Sequence, residues 1–255
     1  MRRALAAATL LALPLGACGG DDDEGTSSSA EKPRLVVSAA ASMTEALGAC
    51  SPEFADATVR LSFAGSDELA AQIRQGVKPD VYAAANTKLP DELNQEGLLG
   101  KPVEFATNEL VLAVPKDSRI ASVEDLTGDD VTIAIGSESV PIGSYTRETL
   151  AKLPAAESRA ILANVRSNEP DVKGIVGKLT QGAVDAGFVY VTDVNAAGED
   201  LKAIDLPPEV EPQVTYAAGV VKGAEQPQQA QTYLDGLLDG TCAGALRDAG
   251  FGSAP

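Results

Sequence analysis

Leu35-Val36-Val37-Ser38-Ala39-Ala40-Ala41-Ser42-Met43-Thr44-Glu45-Ala46-Leu47 decides the reading of this chain: an apolar strand runs into small residues, then a serine, then an amphipathic helix. Val59-Arg60-Leu61-Ser62-Phe63-Ala64-Gly65-Ser66-Asp67-Glu68-Leu69-Ala70-Ala71-Gln72-Ile73 repeats the construction one unit later. Each segment sets a hydroxyl beside the first turn of a helix, where backbone N–H groups have no intrahelical acceptor and the summed peptide dipoles leave partial positive charge. Two such ends converging would hold an anion without any Lys or Arg. The ordinary use of a serine there is to cap the helix by accepting a bond from the N2 or N3 N–H. Repetition, and the compartment read from the rest of the chain, argue for the further use.

Outward from these segments, short β-branched runs alternate with helical patterns. The expected order in the first half is strand Leu35–Ser38, helix from Thr44, strand Thr58–Phe63, helix Glu68–Gln75, strand Asp80–Ala84, helix Lys88–Glu96 and strand Glu109–Val114. The second half continues with strand Val131–Ile135, helix Ser144–Lys152, a helical segment Ser158–Leu162, helix Val172–Thr180, strands Ala186–Tyr190 and Thr215–Val221, and helix Gln228–Leu238. Such alternation predicts an α/β protein with mostly parallel strands, and the length suits two lobes better than one sheet. In the helix from Val172, the residues Ile175, Val176 and Leu179 share one face, which is core and leaves the N-terminus free. Pro141 and Pro170 stand just ahead of helical patterns, where a missing N–H costs nothing.

The chain opens with Met1-Arg2-Arg3, an apolar stretch from Ala4 to Leu15, and Leu15-Gly16-Ala17-Cys18. This is a signal peptide, expected over residues 1–17, whose apolar core is too short to span a bilayer. Leu15-Gly16-Ala17-Cys18 also resembles the lipobox of bacterial lipoproteins, which makes Cys18 the expected lipidation site and the mature N-terminus. Residues 18–33, with Asp21-Asp22-Asp23-Glu24 and Ser27-Ser28-Ser29, contain nothing large enough to anchor a core and read as a flexible acidic tether. The expected location is therefore extracytoplasmic, held to the cell membrane by lipid.

The formal net charge is −17, and loss of Arg2 and Arg3 with the leader makes it more negative still. So acidic a body argues against nucleic acid, whose phosphates need basic partners. Cys50 and Cys242 remain after Cys18 is lipidated, an even pair in an oxidising compartment, and a disulfide between them is expected. A metal pair is the competing use, but the chain has no histidine and no C-x-x-C spacing, and no metal-cation ligands are expected. The disulfide would bring the carboxyl end back to the first lobe. Lobe one is then residues 34–112 and 216–255, lobe two residues 113–215, and the two crossings form a hinge.

Taken together, these residues resemble the molybdate-binding proteins of ABC importers, a periplasmic binding-protein family with two lobes and a ligand cleft between them. The resemblance runs from Arg34 to Phe251. It rests on Ala39-Ala40-Ala41-Ser42-Met43-Thr44, Phe63-Ala64-Gly65-Ser66 with Leu69-Ala70 and Gln72-Ile73, Pro79-Asp80-Val81-Tyr82, Asn108-Glu109-Leu110-Val111, Val140-Pro141-Ile142-Gly143-Ser144-Tyr145, Asp171-Val172 and Gly187-Phe188-Val189-Tyr190. It implies an oxyanion held by the hydroxyls of Ser42 and Ser66 from lobe one, and by the N–H groups of Ile142 and Val172 and the hydroxyl of Tyr190 from lobe two. It also implies a monomer that binds molybdate or tungstate, needs no cofactor, and delivers its ligand to a transporter permease. Where the family often carries another serine or threonine, this chain has Gly65, and Asp67 brings a negative charge near the anion. Its side chain is expected to point out of the cleft. Asp80 reads as structural, and Tyr82, Tyr145 and Tyr216 as packing residues.

Every proposed contact is able to donate a hydrogen bond and none is required to accept, which favours fully ionised tetrahedral anions over hydrogen phosphate. Sulfate is the alternative ligand of the same class, and a non-transport surface interaction module on the same fold is the alternative from another. An enzyme has little to stand on. Without histidine there is no Ser-His-Asp triad, and the Ser-x-x-Lys spacing of Ser29 and Lys32 falls in the tether.

Overall fold

The computed structural model describes residues 32–254, so the expected signal peptide, the lipidated Cys18 and most of the tether lie outside the described residues. Four strands, β1 (Arg34–Ala40), β2 (Thr58–Ala64), β3 (Val81–Ala84) and β4 (Val103–Asn108), open the first lobe. The chain then crosses at Glu109 into β5 (Leu110–Pro115), β6 (Ile133–Gly136), β7 (Val165–Glu169), β8 (Ala186–Tyr190) and β9 (Leu201–Asp205), and returns through β10 (Val214–Val220) and β11 (Gly252–Ser253). Hydrogen bonding arranges these as two sheets, β11-β4-β10-β3-β1-β2 and β7-β6-β8-β5-β9. The helices are α1 (Thr44–Cys50), α2 (Ser66–Arg74), α3 (Lys88–Gln95), α4 (Pro141–Lys152), α5 (Ala155–Ala163), α6 (Val172–Thr180), α7 (Val191–Ala197), α8 (Pro227–Leu238) and α9 (Thr241–Ala249).

This is the expected two-lobed α/β architecture, with two corrections. Both sheets are mixed rather than mostly parallel: β1 is parallel to β2 and β3, and β6 to β7 and β8, whereas β10 runs antiparallel to β3 and β4, and β5 antiparallel to β8 and β9. The cause is the double crossing. A strand entering from the other lobe starts at the cleft and must run against the strands that end there. The sheet boundaries also differ from the expected ones, because Leu110–Leu112 pair in the second sheet and Val214 and Thr215 in the first.

Parallel pairing of β1 with both β2 and β3 brings Ala40 and Ala64 level at the strand ends, so the turns carrying Ser42 and Ser66 emerge side by side. In the second lobe β6 is flanked by β7 and β8, which aims the starts of α4 and α6 and the end of β8 at one edge. One continuous apolar cluster runs through both lobes and includes Leu35, Val37, Leu47, Leu112, Ile133, Ile175, Phe188 and Tyr216. No helix among the described residues is long and apolar enough to cross a membrane.

Cys50 and Cys242 are joined by a disulfide with a Cα–Cα distance of 5.1 Å. It ties the end of α1 to α9, while the Tyr233 ring from α8 packs edge-on against Phe54 and its hydroxyl hydrogen-bonds Ser51 at 2.8 Å. The carboxyl-terminal helices are thereby stapled to the first lobe, closing a loop of 192 residues. Chain entropy gives such a crosslink on the order of 5 kcal/mol at most. Replacement of both cysteines by serine is expected to lower the melting temperature by on the order of 10 °C, with either single replacement costing at least as much. A thermal-unfolding series in which the double variant melts with the parent would contradict this.

Candidate functional site

Neither Ser42 nor Ser66 caps a helix. Ser66 is the first residue of α2, behind Gly65 at the cap position, and Ser42 sits inside a 3-10 turn, Ala41–Met43, that leads into α1. The Ser66 Oγ instead accepts from the Ala85 N–H at 3.1 Å, and its carbonyl accepts from the Tyr82 hydroxyl at 2.7 Å. Ser42 Oγ lies 2.8 Å from the Tyr216 hydroxyl. Both serine oxygens are thus held by lobe-one groups.

Across the cleft, α4 begins with Pro141, so Ile142 is the second helical residue and its N–H has no acceptor within the helix. Helix α6 is capped by Asp171, whose Oδ1 accepts the Gly174 N–H at 3.0 Å and leaves the Val172 N–H free of the cap. Tyr190 ends β8, and its hydroxyl is buried, facing the Tyr216 hydroxyl but without a well-formed hydrogen bond to any described residue. Burial holds this phenol well above its ordinary pKa, so it is a neutral donor.

These five residues line one small interlobe pocket, together with Ala40, Ala41, Ala64, Gly65, Ala85, Val140, Pro141 and Asp171. No Lys or Arg among the described residues lines it. All five are buried, Ser66 and Tyr190 at 1% exposure, which is the arrangement of a closed cleft. Close approach is allowed by two glycines. A Cβ on Gly65 would sit 2.4 Å from the Pro170 carbonyl of the opposite lobe, and one on Gly143 would sit 1.9 Å from the Ser137 carbonyl, where α4 packs onto the end of β6.

Asp67 is absent from the lining, and its Oδ1 is buried beside Gly65 without a partner among the described residues. Asp80 is structural as expected, accepting from Val36 N at 2.7 Å and Gln226 N at 2.8 Å. Tyr216 is more than the packing residue expected, because its hydroxyl engages Ser42. A tyrosine inside an apolar strand carries no sequence mark that separates the two roles.

Charge gathers just outside the pocket. Lys173 of α6 reaches Glu45 of lobe one at 2.8 Å and Asp193 of α7 at 3.1 Å. Burial alone disfavours the ammonium, but the two carboxylates hold its pKa above the ordinary lysine value. Burial dominates at Asp193, whose pKa rises to about 6 despite Lys173. Among the described residues no group of three or more His, Cys, Asp or Glu is placed to hold a metal ion.

With this geometry in view, the model for bacterial extracellular solute-binding proteins matches residues 35–252. The chain belongs to that family. A protein named molybdate-binding protein ModA from Mycobacterium tuberculosis is 33% identical over 224 residues, covering 85% of this chain and 84% of that one. A putative ABC transporter substrate-binding lipoprotein, YvgL of Bacillus subtilis, is 28% identical over 242 residues, 91% of this chain and 92% of the relative. Among solved structures, the substrate-binding domain of a putative molybdenum ABC transporter from Clostridium difficile superposes with a TM-score of 0.66 at 27% identity, covering 88% of this chain and all of that domain. Members of the family are extracytoplasmic solute-binding proteins, not a class of enzymes.

Two outcomes follow from the site. Gly65→Ala keeps a backbone conformation any residue adopts but places a methyl against Pro170, so ligand affinity is expected to fall by tenfold or more, on the order of the 1–3 kcal/mol of an overpacked contact. Unliganded stability should stay close to that of the parent, and calorimetric titration with an unchanged affinity would refute the contact. For Asp193, a native pKa of about 6 against 3.8 for the free side chain means that the folded state binds the proton more tightly. Its contribution to stability is therefore greatest below pH 4 and is lost as pH rises towards 6. Asp193→Asn should gain stability relative to the parent over that interval, by up to about 3 kcal/mol, and parallel urea-unfolding curves at pH 4 and pH 7 would exclude the effect.

Proposed function

We propose that this protein captures molybdate outside the cytoplasm and delivers it to an ABC importer, with tungstate as an equivalent ligand. The observation that carries the reading is the Tyr190 hydroxyl, fully buried, neutral and without a well-formed hydrogen bond among the described residues, in a pocket that it shares with two serine hydroxyls and the first turns of α4 and α6. A buried donor without an acceptor costs on the order of 1–3 kcal/mol. An oxyanion supplies that acceptor and several more.

In this reading Ser42, Ser66 and Tyr190 donate through hydroxyls, and Ile142 and Val172 through backbone N–H groups. Donors aimed at a desolvated dianion make charge-assisted bonds. Hydrogen phosphate, whose proton demands an acceptor, is disfavoured at the five donors. Because lobe one supplies two of these groups and lobe two supplies three, the shell is complete only when the lobes close about their crossings at Glu109 and 206–213. The closed form is then what a permease distinguishes from the empty one. The family relationship supports transport rather than catalysis, and the lipoprotein named among the relatives supports an anchor at Cys18. In this reading the protein acts as a monomer, which the completion of the shell by groups of one chain supports.

A ligand that binds only the folded state raises its stability, by about 2.7 kcal/mol at a hundredfold excess over the dissociation constant. Micromolar molybdate or tungstate is expected to raise the melting temperature by about 5–10 °C, and Ser42→Ala with Ser66→Ala to abolish the shift while the protein stays folded. A shift with sulfate alone would reassign the ligand, and no shift with any of the three would reject the function.

A further inference from the structure

We propose that Asn108 and Tyr216 form a hydrogen-bond relay that fixes the direction of the Ser42 hydroxyl, making Ser42 an obligate donor to the bound anion. The inference rests on the oxyanion reading of the pocket and adds two positioning residues to it.

The direction of the relay follows from donor and acceptor chemistry. Asn108 is the last residue of β4, at the crossing between lobes, and its Oδ1 accepts the Glu109 N–H at 2.9 Å. That bond turns the amide nitrogen, which only donates, towards Thr192 Oγ1 at 2.9 Å and the Tyr216 hydroxyl at 3.4 Å. Tyr216 therefore accepts from Asn108. Its own proton is retained, because burial keeps the phenol well above its ordinary pKa; of the two hydroxyls it faces, Tyr190 has its own proton to place, and Ser42 Oγ at 2.8 Å is the acceptor with good geometry. Ser42 Oγ accepts a hydrogen bond from that hydroxyl, and its own O–H has no acceptor among the described protein groups. It is left to point into the pocket that Ser42 lines.

Without the relay, a serine hydroxyl rotates and accepts as readily as it donates. A site with such a hydroxyl tolerates a protonated anion. With the relay, one lone pair of Ser42 is occupied and its O–H is committed to the pocket, so the preference for a fully ionised anion is strengthened by residues that touch no ligand. The Tyr216 ring is held independently by edge-on contacts with Phe105, Tyr190 and Phe251 at 5.3–6.2 Å, so removing its hydroxyl leaves its packing in place.

The test is a double-mutant cycle read by calorimetry on the whole protein: parent, Tyr216→Phe, Ser42→Ala and the double variant, titrated with molybdate and with inorganic phosphate as competitor at pH 7. Tyr216→Phe is expected to weaken molybdate about tenfold and to narrow the preference for molybdate over phosphate by a similar factor. In the Ser42→Ala background the same change should cost less than about twofold. Equal losses in both backgrounds, or equal losses for both anions, would overturn the relay. Asn108→Ala reaches the same chain from its other end and should show the same dependence on Ser42; a loss independent of Ser42 would likewise overturn it. Failure of the unaltered protein to bind any tetrahedral oxyanion would remove the function itself, an outcome distinct from a failed cycle.

Discussion

Taking a doubly charged ion out of water is costly, and here no Lys or Arg among the described residues lines the place where it would go. What stands in for a cation is a set of neutral donors whose acceptors have been withheld. The first turns of α4 and α6 have N–H groups that no carbonyl of the helix reaches, and Tyr190 has a hydroxyl without a well-formed hydrogen bond to any described residue. Much of the fold serves to bring these together. Parallel pairing of β1 with β2 sets the two serine turns level, β6 between β7 and β8 aims the second lobe's donors at the same point, and Gly65 lets the lobes approach to contact.

The neutral pocket sits in an acidic protein of net charge −17, so long-range attraction gives the anion no help. Selection then depends on short-range bond direction, which is screened little by salt when buried. The nearest ammonium, Lys173, is held by Glu45 and Asp193. It therefore joins the lobes instead of neutralising the ligand. That ion pair is made across the cleft, and it marks closure without fixing which anion is enclosed.

Much of this was legible in the sequence because it is local. The two strand-serine-helix segments, the prolines at the start of α4 and ahead of α6, and the even pair of cysteines all act within a few residues or through composition. Strands β4, β7 and β9 carry no such local signal: Val103-Glu104-Phe105-Ala106-Thr107-Asn108 and Val165-Arg166-Ser167-Asn168-Glu169 are polar enough to read as loop, and they are strands because a neighbouring backbone pairs with them. The antiparallel course of β5 and β10 depends on a double crossing that no local pattern reveals. Tyr216 and Asn108 are 174 and 66 positions from Ser42 along the chain, and only folding makes them its neighbours. The role of Gly65 was likewise invisible. Its φ of −59° would suit any residue, and the reason for glycine is the Pro170 carbonyl on the other lobe.

The most direct measurement is a crystal structure of the protein with molybdate, recorded at the molybdenum absorption edge so that the metal centre is located by its own signal. The account predicts one anomalous peak in the interlobe pocket, with oxygens within hydrogen-bonding distance of Ser42 Oγ, Ser66 Oγ, Ile142 N, Val172 N and Tyr190 Oη, and Lys173 still paired with Glu45 and Asp193. A peak elsewhere, or an anion in the pocket bonded directly to the Lys173 ammonium, would contradict it.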